Sequence, residues 1–260
     1  MRIALFGYGK MGKEIEQIAL QRKHEIMLKI DEHNINSITK EDIKKCDVAI
    51  EFSTPASAIS NMTRCFETSI PVVVGTTGWY DRLEKVKKVC EENNGCLFYA
   101  SNFSIGVNIF LKLNEQLAKM MNEYADYNVS MEEVHHVHKL DAPSGTAITL
   151  AKGITENLKR KSNWKTITET VKGRNGEAEK NSDSPNPPLS ASEFLITAKR
   201  IDEVPGTHTV KYYSVIDDIE IIHTAHNRKG FAMGAVLAAE FVKGKKGVFG
   251  MNDLMNTNTN

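Results

Sequence analysis

Short apolar runs alternate with helical periodicities through the first hundred residues of the chain. Arg2–Phe6, Glu25–Ile30, Val48–Phe52, Pro71–Val74 and Cys96–Tyr99 are dense in Val, Ile, Leu and Phe, which predicts buried strands. Between them Met11–Gln21, Ser57–Phe66 and Arg82–Glu92 carry apolar residues at three- and four-residue spacing, which predicts helices. Strand and helix in this alternation predict an α/β fold, a parallel sheet with helices on both faces.

After Ser104 the rhythm changes. A helix is predicted from about Val107 to Met121, with Ile109, Leu113, Leu117 and Met120 on its apolar face, then a strand over Tyr127–His138 and a helix over Ser144–Leu158. Trp164–Lys172, Phe194–Arg200, His208–Val215 and Ile219–Thr224 read as further strands, interrupted by a polar, Pro-rich loop from Gly173 to Ser192 that should be mobile. A last helix, Phe231–Lys243, leads to a tail, Asn256–Asn260, that should be disordered. The second half is therefore expected to be an α+β domain on a mostly antiparallel sheet.

Composition narrows the class. Lys plus Arg number 33 and Asp plus Glu number 33, so no bulk charge holds this protein to nucleic acid or to an anionic membrane. The 260 residues, 41% hydrophobic and 25% charged, suit a globular protein and not a disordered one. Four cysteines with no Cys-x-x-Cys pair predict reduced thiols, and with them a cytoplasmic protein. The basic, apolar start stops at Gly7 with no cleavage site after it, and no apolar stretch is long enough to span a bilayer.

Gly7-Tyr8-Gly9-Lys10-Met11-Gly12 fits G-x-G-x-x-G, directly after a predicted strand and at the start of a predicted helix. Gly7 allows the tight turn, Gly9 the close approach of a pyrophosphate, and Gly12 the packing of helix on strand, so the first domain reads as Rossmann-type and dinucleotide-binding. Asp31 lies 19 residues beyond Gly12, near the ~20 expected of a ribose-binding carboxylate. Glu32 and His33 follow, with no Arg or Lys for a 2′-phosphate, so NADH is expected over NADPH. Gly75-Thr76-Thr77-Gly78 and Ala100-Ser101-Asn102-Phe103 each follow a strand and belong to the same ligand-binding edge.

Three of the eight histidines fall within Glu133-Val134-His135-His136-Val137-His138-Lys139. On a strand, period two puts His135, Val137 and Lys139 on one face and His136 and His138 on the other. His135 and Lys139 would then serve one pocket as proton donor and cation. Zinc needs three or four converging ligands, whereas alternation splits these imidazoles, so no metal is expected. Asp141-Ala142-Pro143-Ser144-Gly145-Thr146-Ala147 reads as a helix start whose N–H groups at Gly145 and Thr146 would hold a carboxylate. The whole segment suggests a small anionic substrate.

His135 to Ala147 closely resembles the signature of the 4-hydroxy-tetrahydrodipicolinate reductases, long called dihydrodipicolinate reductases. The resemblance extends through Gly7–Gly12, Gly75–Gly78, Asn102-Phe103-Ser104-Ile105-Gly106-Val107-Asn108, His223-Thr224-Ala225-His226-Asn227-Arg228 and Phe231-Ala232-Met233-Gly234-Ala235-Val236. It implies a pyridine-nucleotide reductase of the diaminopimelate and lysine pathway acting on a cyclic imine dicarboxylate. It implies His135 as proton donor or acceptor, Lys139 as second proton donor, and His136, Gly145 and Thr146 as binders of the substrate carboxylates. Gly75, Thr76 and Thr77 would hold the nicotinamide end, with Ala100 to Phe103 completing the cofactor pocket.

The resemblance further implies a homotetramer joined through its second-domain sheets, and a last helix that returns to the nucleotide domain. The domains would then be 1–104 with 228–260, and 105–227. Two features depart from the family pattern. The glycine loop is one residue shorter than the commonest form, and no basic residue follows the ribose acid. The Ser182–Pro188 loop has no assigned role. Another two-domain dehydrogenase acting on an amino or semialdehyde substrate would share Gly7–Gly12 but has no need of His135 and Lys139. A non-catalytic dinucleotide sensor has no use for that pair either.

Overall fold

The computed structural model describes residues 1–171 and 188–256. Most of the expected Pro-rich loop, 173–187, and residues 257–260 of the tail lie outside the described residues. In chain order the elements begin with β1 (Arg2–Phe6), α1 (Lys10–Gln21), β2 (Glu25–Ile30), α2 (Lys40–Lys44), β3 (Val48–Glu51), α3 (Pro55–Glu67), β4 (Val72–Val74), α4 (Leu83–Glu92) and β5 (Cys96–Tyr99). They continue with α5 (Ile105–Met120), β6 (Asn128–His135), α6 (Gly145–Asn157), β7 (Asn163–Val171), β8 (Glu193–Ile201), β9 (Thr207–Tyr213) and β10 (Asp218–Thr224). The last are α7 (Lys229–Val242), β11 (Gly247–Phe249) and α8 (Met251–Asn256). Met1–Ile105 with Arg228–Asn260 forms one compact unit and Gly106–Asn227 a second.

The first unit is built on a six-stranded sheet in the order β11-β5-β4-β3-β1-β2, parallel throughout. Its inner strands β1, β3 and β4 are buried at successive positions because both faces are covered. Ile3, Leu5, Ile50, Val73 and Phe98 face one core with α1 and α7. Ala4, Phe6, Ala49, Val72, Val74 and Leu97 face the other with α3 and α4. The period-two alternation thus divides one hydrophobic run between two cores. β11 escapes the pattern reading, since three residues carry no periodicity; it forms by pairing Gly247, Val248 and Phe249 with Cys96, Leu97 and Phe98.

The second unit carries a five-stranded sheet in the order β10-β9-β6-β8-β7. Along β10-β9-β6 the pairing is antiparallel, and β8 and β7 extend the sheet in parallel. Phe194, Ile196, Val210, Tyr212, Val129 and Met131 pack against Leu150, Ala151 and Ile154 of α6 and Phe110 and Ala118 of α5.

One face differs from expectation. α5 buries Val107, Phe110, Asn114 and Ala118, while Ile109, Leu113 and Met120 are exposed. The cause is Asn114, which a hydropathy pattern assigns to water. Its Nδ2 donates to the Leu150 carbonyl at 2.9 Å, and Gly153 admits its side chain by having no Cβ of its own.

α7 is rich in small residues, with Ala232, Gly234, Ala235, Ala238 and Ala239 all buried. A methyl group on Gly234 would run into the Phe103 carbonyl. Helix propensity alone has Gly234→Ala stabilise the helix by up to about 1 kcal/mol. The close contact reverses the sign, and the variant should instead lose about 1–3 kcal/mol. Urea unfolding of the two proteins decides between these signs.

Candidate active site

Because the first sheet is parallel, the loops after β1 to β5 leave from one edge. β2 lies on one side of β1 and β3 on the other, which makes the β1/β3 end a topological switch point of the kind that binds ligands in α/β sheets. Gly7 sits there at φ +92°, where a side chain would meet the Phe52 backbone. Gly12 lies against the Gly7 carbonyl. Gly9 is different: the space beside its Cα is open, and it caps α1 without a side chain. Open backbone and the orphan N–H groups of the first turn fit a dinucleotide pyrophosphate.

The other expected cofactor residues share this edge. Lys10 begins α1 in an exposed position, and Met11 packs against the core. The Tyr8 hydroxyl donates to Glu16, which also pairs with Lys29 at 2.7 Å. Asp31 Oδ1 accepts the His33 and Asn34 N–H groups at 3.0 and 3.3 Å, which fixes the carboxylate at the end of β2. Gly75, Thr76 and Thr77 follow β4; Thr76 Oγ1 accepts the Ser53 N–H at 2.8 Å, and Thr77 is exposed. Past β5 come Ala100, exposed Ser101, and Asn102, whose Oδ1 accepts the Ser104 N–H at 2.9 Å. Phe103 turns its ring into the core, 5.5 Å from that of Phe52, so its contribution at the edge is backbone.

In the second unit the decisive strand is β6, which buries alternate residues Val129, Met131, Glu133 and His135. Register sets Glu133 opposite His208 of β9 and His135 opposite Arg200 of β8. The Glu133 carboxylate is wholly buried. Arg200 Nη2 donates to its Oε1 at 3.1 Å, and the Ser144 N–H to both oxygens at 3.2 and 3.1 Å. His208 Nε2 and His135 Nε2 each lie 3.6 Å from Oε2 and 3.4 Å from one another. Ser144 Oγ stands 3.1 Å from His208 Nε2.

Burial opposes ionisation of Glu133, but hydrogen bonds from His208, Ser144 and Arg200 outweigh it and draw its pKa down to about 2. His135 is lowered to about 4, first by burial and then by the charge of His208; Lys139 and Arg200 act in the same sense, and Glu133 against them. Glu133, His135 and His208 are also spaced like metal ligands. Arg200 and Ser144 already satisfy the carboxylate, however, so the geometry is that of a hydrogen-bonded set.

The same guanidinium shapes the following turn. Arg200 Nε donates to the Lys139 carbonyl at 3.3 Å and Nη2 to the Asp141 carbonyl at 2.6 Å. Lys139 Nζ pairs with Asp141 at 2.8 Å. The turn leads into α6, where Ser144 Oγ accepts the Ala147 N–H at 3.2 Å. The N–H groups of Gly145 and Thr146 precede the first intrahelical bond, beside open space at Gly145. His136 Nδ1 is buried without a hydrogen-bond partner among the described residues. A buried imidazole, the Lys139 ammonium and the exposed start of α6 thus sit on one connected segment.

Residues 1–103 match the family model for the N-terminus of dihydrodipicolinate reductase, and residues 106–255 match that for its C-terminus. The chain belongs to the dihydrodipicolinate reductase family. A 4-hydroxy-tetrahydrodipicolinate reductase of Christiangramia forsetii is 47% identical over 259 residues, 98% of each chain. One from Acinetobacter baumannii is 36% identical over 221 residues, covering 82% of this chain and 76% of that protein. A dipicolinate-bound dihydrodipicolinate reductase from Paenisporosarcina sp. TG-14 shares the fold at a TM-score of 0.72 and 21% identity, covering 96% of this chain and 97% of that one.

In this chain the strand ends at His135, so His135, Val137 and Lys139 do not share a strand face. The chain leaves the sheet because Asp202 takes the Val137 N–H at 3.1 Å and Arg200 gathers the carbonyls beyond it. Lys139 is still close enough for its charge to act on His135. His138 turns outward to Glu203 at 3.2 Å.

The pattern reading misses Glu133, Arg200 and His208. A signal for them exists, since each falls in phase with the buried positions of its own strand, and a charge in that phase requires partners. Glu51 at the end of β3 is also missed. Burial pushes its carboxyl upward, against hydrogen bonds from Ser53, Thr76 and Asn61. The four cysteines are free and buried, and burial lifts Cys46 and Cys96 to about 11 and raises Cys65 and Cys90, which makes them poor nucleophiles. Among the described residues no helix is long and apolar enough to cross a membrane.

The shifted groups make folding pH-dependent in a defined direction. Between pH 6.5 and about 4 the unfolded chain takes up a proton at His135 that the folded chain refuses, so stability falls as pH falls. The Glu133 contribution is complete above its ordinary value of 4.5 and is lost as pH approaches about 2. Urea midpoints should drop from pH 7 to pH 5, and the drop should shrink in His135→Gln. An equal drop in both proteins would assign it to other groups.

Proposed function

We propose that the protein uses NAD(P)H to reduce 4-hydroxy-tetrahydrodipicolinate to tetrahydrodipicolinate with loss of water, in diaminopimelate and lysine biosynthesis. The observation that carries this reading is the segment His135 to Thr146. It joins a buried imidazole, the Lys139 ammonium and two helix-end N–H groups, in a chain 47% identical to a reductase of that name over almost its whole length.

Reduction needs a hydride, a proton, and a means of holding two carboxylates. A nicotinamide cofactor, when bound, supplies the hydride. The open backbone at Gly9 and the first turn of α1 suit its pyrophosphate, and Asp31 suits a ribose hydroxyl. Gly75, Thr76, Thr77 and Ala100 to Phe103 would line the nicotinamide end. Gly145 and Thr146 would donate to one substrate carboxylate, with His136 beside them. Lys139 would add charge and a second proton source, and His135 would deliver the first. Asp31 and Glu32 together oppose a 2′-phosphate, which favours NADH.

A homotetramer joined through the second-unit sheet fits the exposed apolar side chains of β10 and the turn before it, Val215, Ile216 and Ile222. The buried, free thiols suit a reducing cytoplasm.

Purified protein coupled to a source of the unstable substrate should oxidise NADH, and no oxidation by wild type ends the reading. His135→Gln and Lys139→Met should each lower kcat by about 10²- to 10⁴-fold. Turnover equal to wild type in both would overturn the site assignment alone. Titrated separately, NADH should bind more tightly than NADPH, and the reverse order would remove the role given to Asp31 and Glu32.

A further inference from the structure

We propose that His208 is a positioning residue for the reduction, setting the protonation of His135 across an imidazole–imidazole contact braced by Glu133. The proposal rests on the reading of His135 as proton donor and deepens it. Two buried imidazoles whose Nε2 atoms lie 3.4 Å apart cannot both be charged without strong repulsion. One carboxylate at 3.6 Å from each offsets a single positive charge. The protonation of His135 therefore depends on the imidazole and the carboxylate beside it.

The contact is built and not incidental. β6–β9 register puts Glu133 directly opposite His208, and the rings meet edge to face with centroids 5.1 Å apart. Arg200 and the Ser144 N–H fix the carboxylate, while Ser144 Oγ, which also caps α6, reaches His208 Nε2. The charged groups acting on His135 are Glu133 on its own strand, His208 on β9, Arg200 on β8 and Lys139 on the turn. His208 is the imidazole in direct contact with the His135 ring. Bound substrate carboxylates would add negative charge beside the set and favour protonated His135 when a donor is required.

The test is an NMR titration of histidine-labelled protein, with the His135 resonance assigned by His135→Gln, in wild type, His208→Gln and Glu133→Gln. Loss of the His208 charge should move the His135 titration upward by about one pH unit, and loss of Glu133 should move it downward. The limb of the kcat–pH profile should move in the same two directions. Mere loosening of the site would wet His135 and move both variants upward. Upward movement in both, or no movement in His208→Gln, overturns the proposal. Should Glu133→Gln fail to fold by circular dichroism, His208→Gln and His208→Asn decide it. If His135→Gln turns over as fast as wild type, the donor reading fails while the titration still reports the coupling.

Discussion

A carboxylate taken wholly out of water must find partners for both oxygens or give up its charge. Glu133 keeps its charge, and much of the second unit is arranged around that fact. Its partners come from β8, β9 and the entry to α6. The Arg200 that neutralises it also holds the carbonyls of Lys139 and Asp141, which bends the turn carrying the lysine. The Ser144 that donates to it also caps the helix whose first N–H groups face outward. One buried negative charge thus ties an imidazole, the turn carrying an ammonium and a helix N-terminus together.

The first unit solves a different problem with a different device. A dinucleotide brings its charge with it, and under the proposed reading the start of α1 would meet that charge with backbone N–H groups. The parallel sheet gathers five strand ends on one edge, and β2 and β3 lie on opposite sides of β1 there. Gly7 and Gly12 are spent on packing, Gly9 on leaving the backbone open. A chain with no net charge can therefore meet two anionic ligands, since the charge that matters is local.

The fold was legible wherever burial imposes a simple period. β1, β2 and β5 carry apolar runs whose limits coincide with the strands, and the capped start of α6 is spelled by Ser144 followed by a helical pattern. Legibility failed where a polar residue is buried for its hydrogen bond. Asn114 rotates the buried face of α5 away from Ile109 and Leu113, and no hydropathy scale anticipates a donor aimed at the Leu150 carbonyl. β11 failed for another reason, because its three residues are ordered by the neighbouring strand.

By itself the sequence determined the fold class and most of the longer helices and strands, because capping, glycine geometry and hydrophobic period act over a few neighbouring positions. His135, Lys139, Gly145 and Thr146 lie within twelve residues, so a local reading could assemble them. Only the tertiary structure decided what surrounds His135. Arg200 and His208 lie 65 and 73 residues beyond it and reach it through strand register, which long-range pairing sets. The electrostatic environment of a buried group is a sum over everything within a few ångströms, and distance along the chain says little about that sum.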